Sequence, residues 1–326
     1  MHAVIARAPW VFLGLAEPGA GRAPLAYKLV AGAFSALASV TPGSTEKEAE
    51  TSEPPGWRRF LAVLNGVLGD HLAAWENPLG FAMGLRDESG APWPLPREGR
   101  VIVLVHGSCG CELDWVTPAL AEWVAERRAA GDAVGYLRYN SGLAIQENGR
   151  ALAGALEASG NASLVLVGHS MGGLVMRSAM AQAPPWLARV THAAYLGSPH
   201  LGAPLERAGR VVTGALGISP FSAPLQRAAN VRSRGVKDLA FGAVTADGSP
   251  APLPAHVSHL LVAATLPSLE WLGDGLVTTA SALAEGDDPA RRLAAPRLAR
   301  VRIDGADHVG MLADVRLVAE LRGWLP

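Results

Sequence analysis

The sequence predicts an α/β fold built on a mostly parallel central sheet. Two features carry that reading. From about residue 98 onward, short continuous apolar runs alternate with stretches of helical periodicity. The runs are VIVLV (101–105), AVGYLRY (133–139), LVLV (164–167), HAAYLG (192–197), HLLVAA (259–264) and LARVRI (298–303). Strands apolar on both faces and separated by helices read as a parallel sheet covered on both sides. The second feature is LVLVGHSMGG (164–173), where an apolar run stops at a glycine and a serine is flanked by glycines at −2 and +2.

The alternation assigns helices to about 115–130, 144–158, 171–182 and 313–324. Before it, residues 57–76 carry an apolar helical stripe: Trp57, Phe60, Leu61, Leu64, Val67, Leu68, Leu72 and Trp75. FAMGLRDESGAPWPLP then holds a turn at Glu88–Gly90 between two short strand-like pieces. Residues 1–56 read as an alanine-rich helical arm (25–40) followed by a polar, acidic, proline-rich linker. Residues 57–97 are a helical lead-in with possible first strands, and 98–326 form the core. Residues 200–257 interrupt the alternation with many glycines and prolines, so they read as a cap or lid-like insertion.

Composition narrows the function classes. Net charge is −1, with 28 Lys and Arg against 29 Asp and Glu, so no electrostatic footprint for nucleic acid is present. Two cysteines, Cys109 and Cys111, exclude a disulfide-built scaffold and read as free thiols, with a local disulfide as the alternative in an exported protein. No metal-ligand pattern surrounds them, and the sequence implies no metal and no cofactor. No apolar stretch reaches the roughly 18 residues of a membrane span. APWVFLGLA after Arg7 is short and begins at a proline, so the expectation is a cytoplasmic protein, with export as the alternative. Asn161–Ser163 matches a glycosylation sequon and reads as coincidence before a buried strand.

The Ser170 motif is weak alone. With 37 glycines in 326 residues, flanking glycines arise by chance at about 0.2 of the sequence's serines in total. Context strengthens it, because a strand precedes it and helix formers follow. At such an elbow the serine backbone is strained and the side chain projects above the sheet edge. Gly168 and Gly172 keep strand and helix from colliding. A serine nucleophile also needs donors for the oxyanion. VIVLVHGSCGC supplies a glycine loop at a strand end, so the backbone amides of Ser108 and Met171 are the candidate oxyanion hole. His106 precedes the serine and reads as a structural histidine behind that loop.

The elbow's chain order is serine, acid, histidine. After Ser170 come His192, His200, His256, His259 and His308. Only His308 lies in a loop after the final strand. His192, His256 and His259 sit at strand entrances, and His200 is a lining candidate. The acid should follow the penultimate strand. Asp274, between Gly273 and Gly275, is favoured over Glu270; Asp304 and Asp307 lie too close to His308 to orient it. The predicted triad is Ser170, Asp274 and His308. His106, Gly107, His169, His200 and Leu201 are the candidate substrate-lining residues.

VLVHG, GHSMGGLV, LGSPHLGAPL, GDGLV and DHVGML, in that order over roughly residues 100–315, resemble bacterial serine esterases and lipases of the α/β-hydrolase superfamily. The nearest groups are those called lipase class 2 and PGAP1-like. The resemblance implies the α/β-hydrolase fold and the same triad and oxyanion amides. It implies that GSPHLGAP lines the acyl or alcohol pocket and that 57–80 packs on the core. The calcium site and disulfide of some secreted lipases have no counterpart here.

The expected function is hydrolysis of carboxylic esters through an acyl-enzyme on Ser170, with a small-molecule or lipid-like ester as partner. A thioesterase, amidase or acyltransferase would use the same triad. A non-catalytic protein on this scaffold would instead bind a membrane or a protein partner, with helix 25–40 and residues 211–225 as its apolar surface. The sequence leaves oligomeric state open.

Overall fold

A computed structural model describes residues 53–203 and 233–326, apart from 246, 248, 250, 268, 269 and 287. The expected arm at 25–40, most of its linker and the 204–232 part of the insertion lie outside the described residues.

The elements run in chain order as follows. Helix α1 (Pro55–Ala74) opens on a proline and is followed by β1 (Gly84–Arg86) and β2 (Arg100–Val105). Helix α2 (Pro118–Ala129) begins at Thr117, whose hydroxyl accepts the Leu120 N–H at 3.3 Å. Then come β3 (Ala133–Arg138), α3 (Ile145–Leu156), β4 (Ser163–His169), α4 (Met171–Ala181) and β5 (Val190–Leu196). Helix α5 (Arg234–Phe241) precedes β6 (Ser258–Thr265), and α6 (Thr279–Ala282), β7 (Leu298–Asp304) and α7 (Val315–Trp324) complete the chain.

The seven strands form one sheet in the order β1-β3-β2-β4-β5-β6-β7. Only β1 runs antiparallel to its neighbour; every other pair is parallel. The turn expected after Arg86 is present, with the Gly90 N–H on the Asp87 carbonyl at 3.0 Å.

Side chains alternate across each strand and build two cores. Val101, Val103, Leu164, Leu166, Tyr195 and Leu261 face α3 and α4. Ile102, Leu104, Val165, Val167, Leu196 and Val262 face α2 and α7. Helix α1 has a smaller cluster of its own around Leu61, Leu64, Leu68 and Leu72. The edge strand β7 exposes Arg300 and Arg302, charges that discourage pairing with another sheet.

Within the described part of the insertion, α5 is amphipathic and buries Val236, Leu239 and Ala240. Ala251, Leu253 and Val257 join the core on the α4 face. Among the described residues no helix is long and apolar enough to cross a membrane.

Candidate active site

Ser170 stands between the end of β4 and the start of α4 at φ 52° and ψ −122°. A non-glycine residue there is strained, and such strain concentrates at functional positions. Ser170 occupies the N-cap of α4, yet its hydroxyl makes no capping bond. Its backbone is held instead by N–H donation to the Leu196 carbonyl at 2.8 Å and by its own carbonyl accepting from Gly173 N–H at 3.1 Å.

The flanking glycines are spatial necessities. A Cβ on Gly172 would stand 2.1 Å from the Val105 carbonyl oxygen and 2.5 Å from that of His106. One on Gly168 would stand 2.6 Å from Gly173 N. Helix and strand therefore pass at backbone contact, which brings the start of α4 against the end of β2.

That strand end carries the turn expected to supply an oxyanion donor. A Cβ on Gly107 would lie 3.0 Å from Ser170 Cβ, so the turn abuts the nucleophile candidate. The amides after Ser108 are engaged: Cys109 N–H on Ser141 Oγ (3.0 Å), Gly110 N–H on the Gly107 carbonyl (3.2 Å) and Cys111 N–H on Asp114 Oδ2 (3.1 Å). The Ser108 N–H meets no acceptor among the described residues. Met171, the first residue of α4, has an N–H that the helix geometry leaves without an internal acceptor. Both expected oxyanion amides are thus in the right chemical condition to donate.

His308 and Asp274 meet. His308 Nδ1 lies 2.7 Å from Asp274 Oδ2, and the His308 N–H donates to the Asp274 carbonyl at 3.0 Å. The second carboxylate oxygen, Oδ1, accepts the Leu276 and Val277 N–H groups at 2.9 and 2.8 Å. The carboxylate is fully committed and its face toward His308 is fixed. Ser170, Asp274 and His308 are 9, 2 and 6% exposed. Two of the competing acids are occupied elsewhere. Asp304 accepts from Thr265 and Arg302, and Asp307 accepts the Val309 and Gly310 N–H groups. The rejected histidines have other partners too: His192 meets Thr191 and the Trp324 ring, His256 the Leu187 carbonyl, His259 the Pro254 carbonyl.

The five lining candidates separate. Gly107 lies at Ser170. His106 is fully buried behind the turn: it stacks on Tyr139 at 4.2 Å, its Nε2 accepts the Tyr139 N–H, and its Nδ1–H donates to the Gly107 carbonyl at 2.7 Å. Burial pushes its pKa down. It backs the loop and lines nothing, because the residue continuing a buried strand points under the sheet edge.

His200 likewise turns inward. Its Nδ1 accepts from Arg177 at 3.1 Å and its ring stands edge-on to Tyr195, a buried setting that drives its pKa well below the usual imidazole range. Leu201 points toward Gly286, where a Cβ would meet Leu201 Cδ1 at 2.6 Å. His169 lies against His308, with ring centroids 4.8 Å apart.

Gly197 is a site residue that periodicity could not single out. At φ 60°, a Cβ there would stand 3.3 Å from both Asp274 Oδ2 and His308 Cε1. Its only sequence signal is its place in the GSPHLGAP segment. Arg177 is buried beside His200 and not at that cluster: it donates to His200 and to the Ala251 carbonyl, and burial lowers its pKa to about 10. Among the described residues no group of three metal-ligating side chains is positioned to hold a metal.

A mostly parallel sheet, a serine on a strained strand-to-helix elbow, and an acid and a histidine following it in that order decide the architecture. The chain has the α/β-hydrolase fold. A model of the PGAP1-like alpha/beta domain matches residues 143–232, the stretch that holds the Ser170 elbow. No curated protein matches the sequence. Among solved structures, the chain is similar to the mature lipase BlEst2 of Bacillus licheniformis, at 19% identity and a TM-score of 0.48 over 74% of this chain and 96% of that one. It is also similar to the carboxylesterase CesB of Bacillus subtilis, at 14% identity and 0.46 over 83% and 98%. A third is the esterase RhEst1 of Rhodococcus sp. ECU1013, at 18% and 0.42 over 75% and 94%.

Proposed function

We propose that this α/β hydrolase cleaves carboxylic esters through an acyl-enzyme on Ser170. The observation that carries the reading is the Asp274–His308 pair. A carboxylate held by two backbone amides presents its free oxygen to His308 Nδ1 at 2.7 Å. That oxygen can only accept, so the imidazole keeps its proton on Nδ1 and leaves Nε2 bare as a base.

The chemistry follows from that tautomer. Ser170 Oγ attacks the ester carbonyl carbon while His308 Nε2 takes the hydroxyl proton. The Ser108 and Met171 amides stabilise the oxyanion. The imidazolium, paired with Asp274, returns the proton to the leaving alcohol. Water then attacks the acyl-enzyme with His308 again as base, releasing the acid. Thioester, amide and acyl-transfer chemistry share this intermediate and differ in leaving group or acceptor.

The test compares wild type with Ser170→Ala on a short-chain aryl ester, with an organophosphate probe alongside. Wild type should turn over the ester and be labelled at Ser170; the variant should fold and do neither. Unchanged hydrolysis by Ser170→Ala would overturn the assignment. Competing thioester, amide and alcohol acceptors then rank the alternatives by product.

A further inference from the structure

The His308 peptide is held from both sides. Its N–H donates to the Asp274 carbonyl at 3.0 Å, and its carbonyl oxygen lies 2.9 Å from His169 Nε2. We propose that His169 is a positioning residue for the catalytic base, holding His308 in register through the His308 carbonyl. The proposal rests on the triad reading above.

The geometry fixes the chemistry of His169. A carbonyl oxygen only accepts, so Nε2 carries the hydrogen and donates. Burial, joined by the neighbouring His308, pushes the His169 pKa down to about 3, so the ring is neutral across the working pH range. Neutral and protonated on Nε2, it has a bare Nδ1. That nitrogen faces the oxyanion turn, where a Cβ on Gly107 would lie 3.3 Å away. The backbone of His169 carries Ser170 directly. One side chain therefore touches the base loop and the oxyanion turn while its peptide holds the nucleophile.

The loop needs such a tie. It leaves β7 through Gly305 at φ 84°, and Val309, the residue after His308, is 66% exposed. Buried Ala306 and Met311 anchor the loop two and three residues away, while the His169 bond acts on the His308 peptide itself. A triad loses most of its advantage when a member drifts by about an ångström, a displacement able to cost about a hundredfold in rate. A hydrogen bond to the peptide of His308 prevents that drift without touching the imidazole.

A residue that merely filled space would be replaceable by any side chain of similar volume. The test uses His169→Leu, which fills the site without a donor, and His169→Gln, whose amide nitrogen reaches about as far as Nε2. Also included is His169→Asn, whose amide falls short. Each is assayed for kcat and KM on the short-chain aryl ester, for Tm, and for the downfield proton resonance of the His308 Nδ1–H.

We expect the Leu and Asn variants to lose kcat by about a hundredfold with KM little changed, and to broaden or shift the resonance. The Gln variant should recover kcat to within about fivefold and restore the resonance. A folded Leu variant with wild-type kcat would overturn the proposal. So would Gln and Asn variants equally impaired, which settles the matter even where Leu does not fold. These failures differ from that of the triad itself: a wild type that neither turns over ester nor reacts with the organophosphate sinks both readings. An active wild type with an unaffected Leu variant sinks only this one.

Discussion

Replacing Asp274 by Asn tests whether the carboxylate acts by fixing a tautomer. Its Oδ1 accepts two backbone N–H groups, from Leu276 and Val277, at 2.9 and 2.8 Å. An asparagine must place its carbonyl oxygen there, because an NH₂ group would face two donors. The NH₂ group is then forced toward His308 Nδ1, where the carboxylate oxygen stood at 2.7 Å. A donor now meets Nδ1, so the imidazole gives up that hydrogen and carries it on Nε2. That is the nitrogen that accepts the Ser170 proton in the proposed mechanism.

The base is disabled with the geometry nearly unchanged. The same change in a serine protease triad lowers kcat about 10⁴-fold, and at about 1.36 kcal/mol per decade that is about 5 kcal/mol of transition-state stabilisation. The assay is kcat/KM on a short-chain aryl ester, with Tm as control. Because both backbone bonds survive, Tm should stay near wild type. Asp274→Ala, which abandons the two amides, should lose Tm as well as activity. An Asp274→Asn protein within tenfold of wild-type activity would refute the tautomer argument.

Glu112→Gln leaves the buried guanidiniums of Arg58 and Arg138 without their shared carboxylate, and should cost about 3 kcal/mol, read as a lower urea midpoint; an unchanged midpoint contradicts it. Gly66→Ala puts a Cβ 2.3 Å from Cys109 Sγ and 2.8 Å from Cys109 N, so it should displace the oxyanion turn. It should lower kcat by up to about a hundredfold, while Gly154→Ala, with nothing within 4 Å, leaves activity alone. Asp238 has its pKa raised, chiefly by burial, against the Ile145 N–H bond that lowers it. The folded state therefore holds this proton more tightly than the unfolded one. Its stabilising effect is present below the ordinary value of 3.8 and is lost as pH rises through the raised one. Asp238→Asn keeps an acceptor for Ile145 and should flatten the fall of Tm with pH over that window; an unaltered slope rules it out.

What could be read in the sequence was what period and order encode. The six apolar runs became β2 to β7 with ends shifted by at most two residues; β2 to β6 are buried along most of their length and so carry few polar positions to blur them, while the edge strand β7 keeps exposed Arg300 and Arg302. Asp274 was separable from Asp304 and Asp307 because loop order and glycine flanks constrain where a carboxylate can reach. His106, His169 and His200 all stood among the lining candidates, His200 because it follows a strand and reaches the right edge. Which way such a residue turns depends on partners far away in sequence, Tyr139, His308 and Arg177, and no periodicity carries that. The same holds for Arg58, Glu112 and Arg138, charges that a sequence assigns to the surface until three distant segments meet. Helix α1 read as a lead-in because its apolar stripe was visible. Its packing glycines Gly66 and Gly69, which admit Cys109 and Asn140, have no side chain to pattern.

Sheet order explains why Gly197 stands where it does. Ser170 leaves β4, while Asp274 and His308 follow β6 and β7, two and three strands away. Adjacent strands lie about 4.8 Å apart, so His308 must come back across roughly 14 Å of sheet edge to serve Ser170. The path crosses the end of β5. Gly197 is the residue at that end, tied to β6 by its N–H on the Val262 carbonyl at 2.8 Å. Its neighbour Leu196 holds the Ser170 N–H, so the crossing point is pinned to the nucleophile's own backbone. Asp274 Oδ2, His308 Cε1 and Met311 Sδ all approach where its Cβ would be, within 3.2 to 3.3 Å. A positive φ turns the chain away, and the missing side chain leaves the gap through which acid and base pass. The predicted triad draws on loops after β4, β6 and β7, and the glycine that ends β5 leaves room for its acid and base to approach.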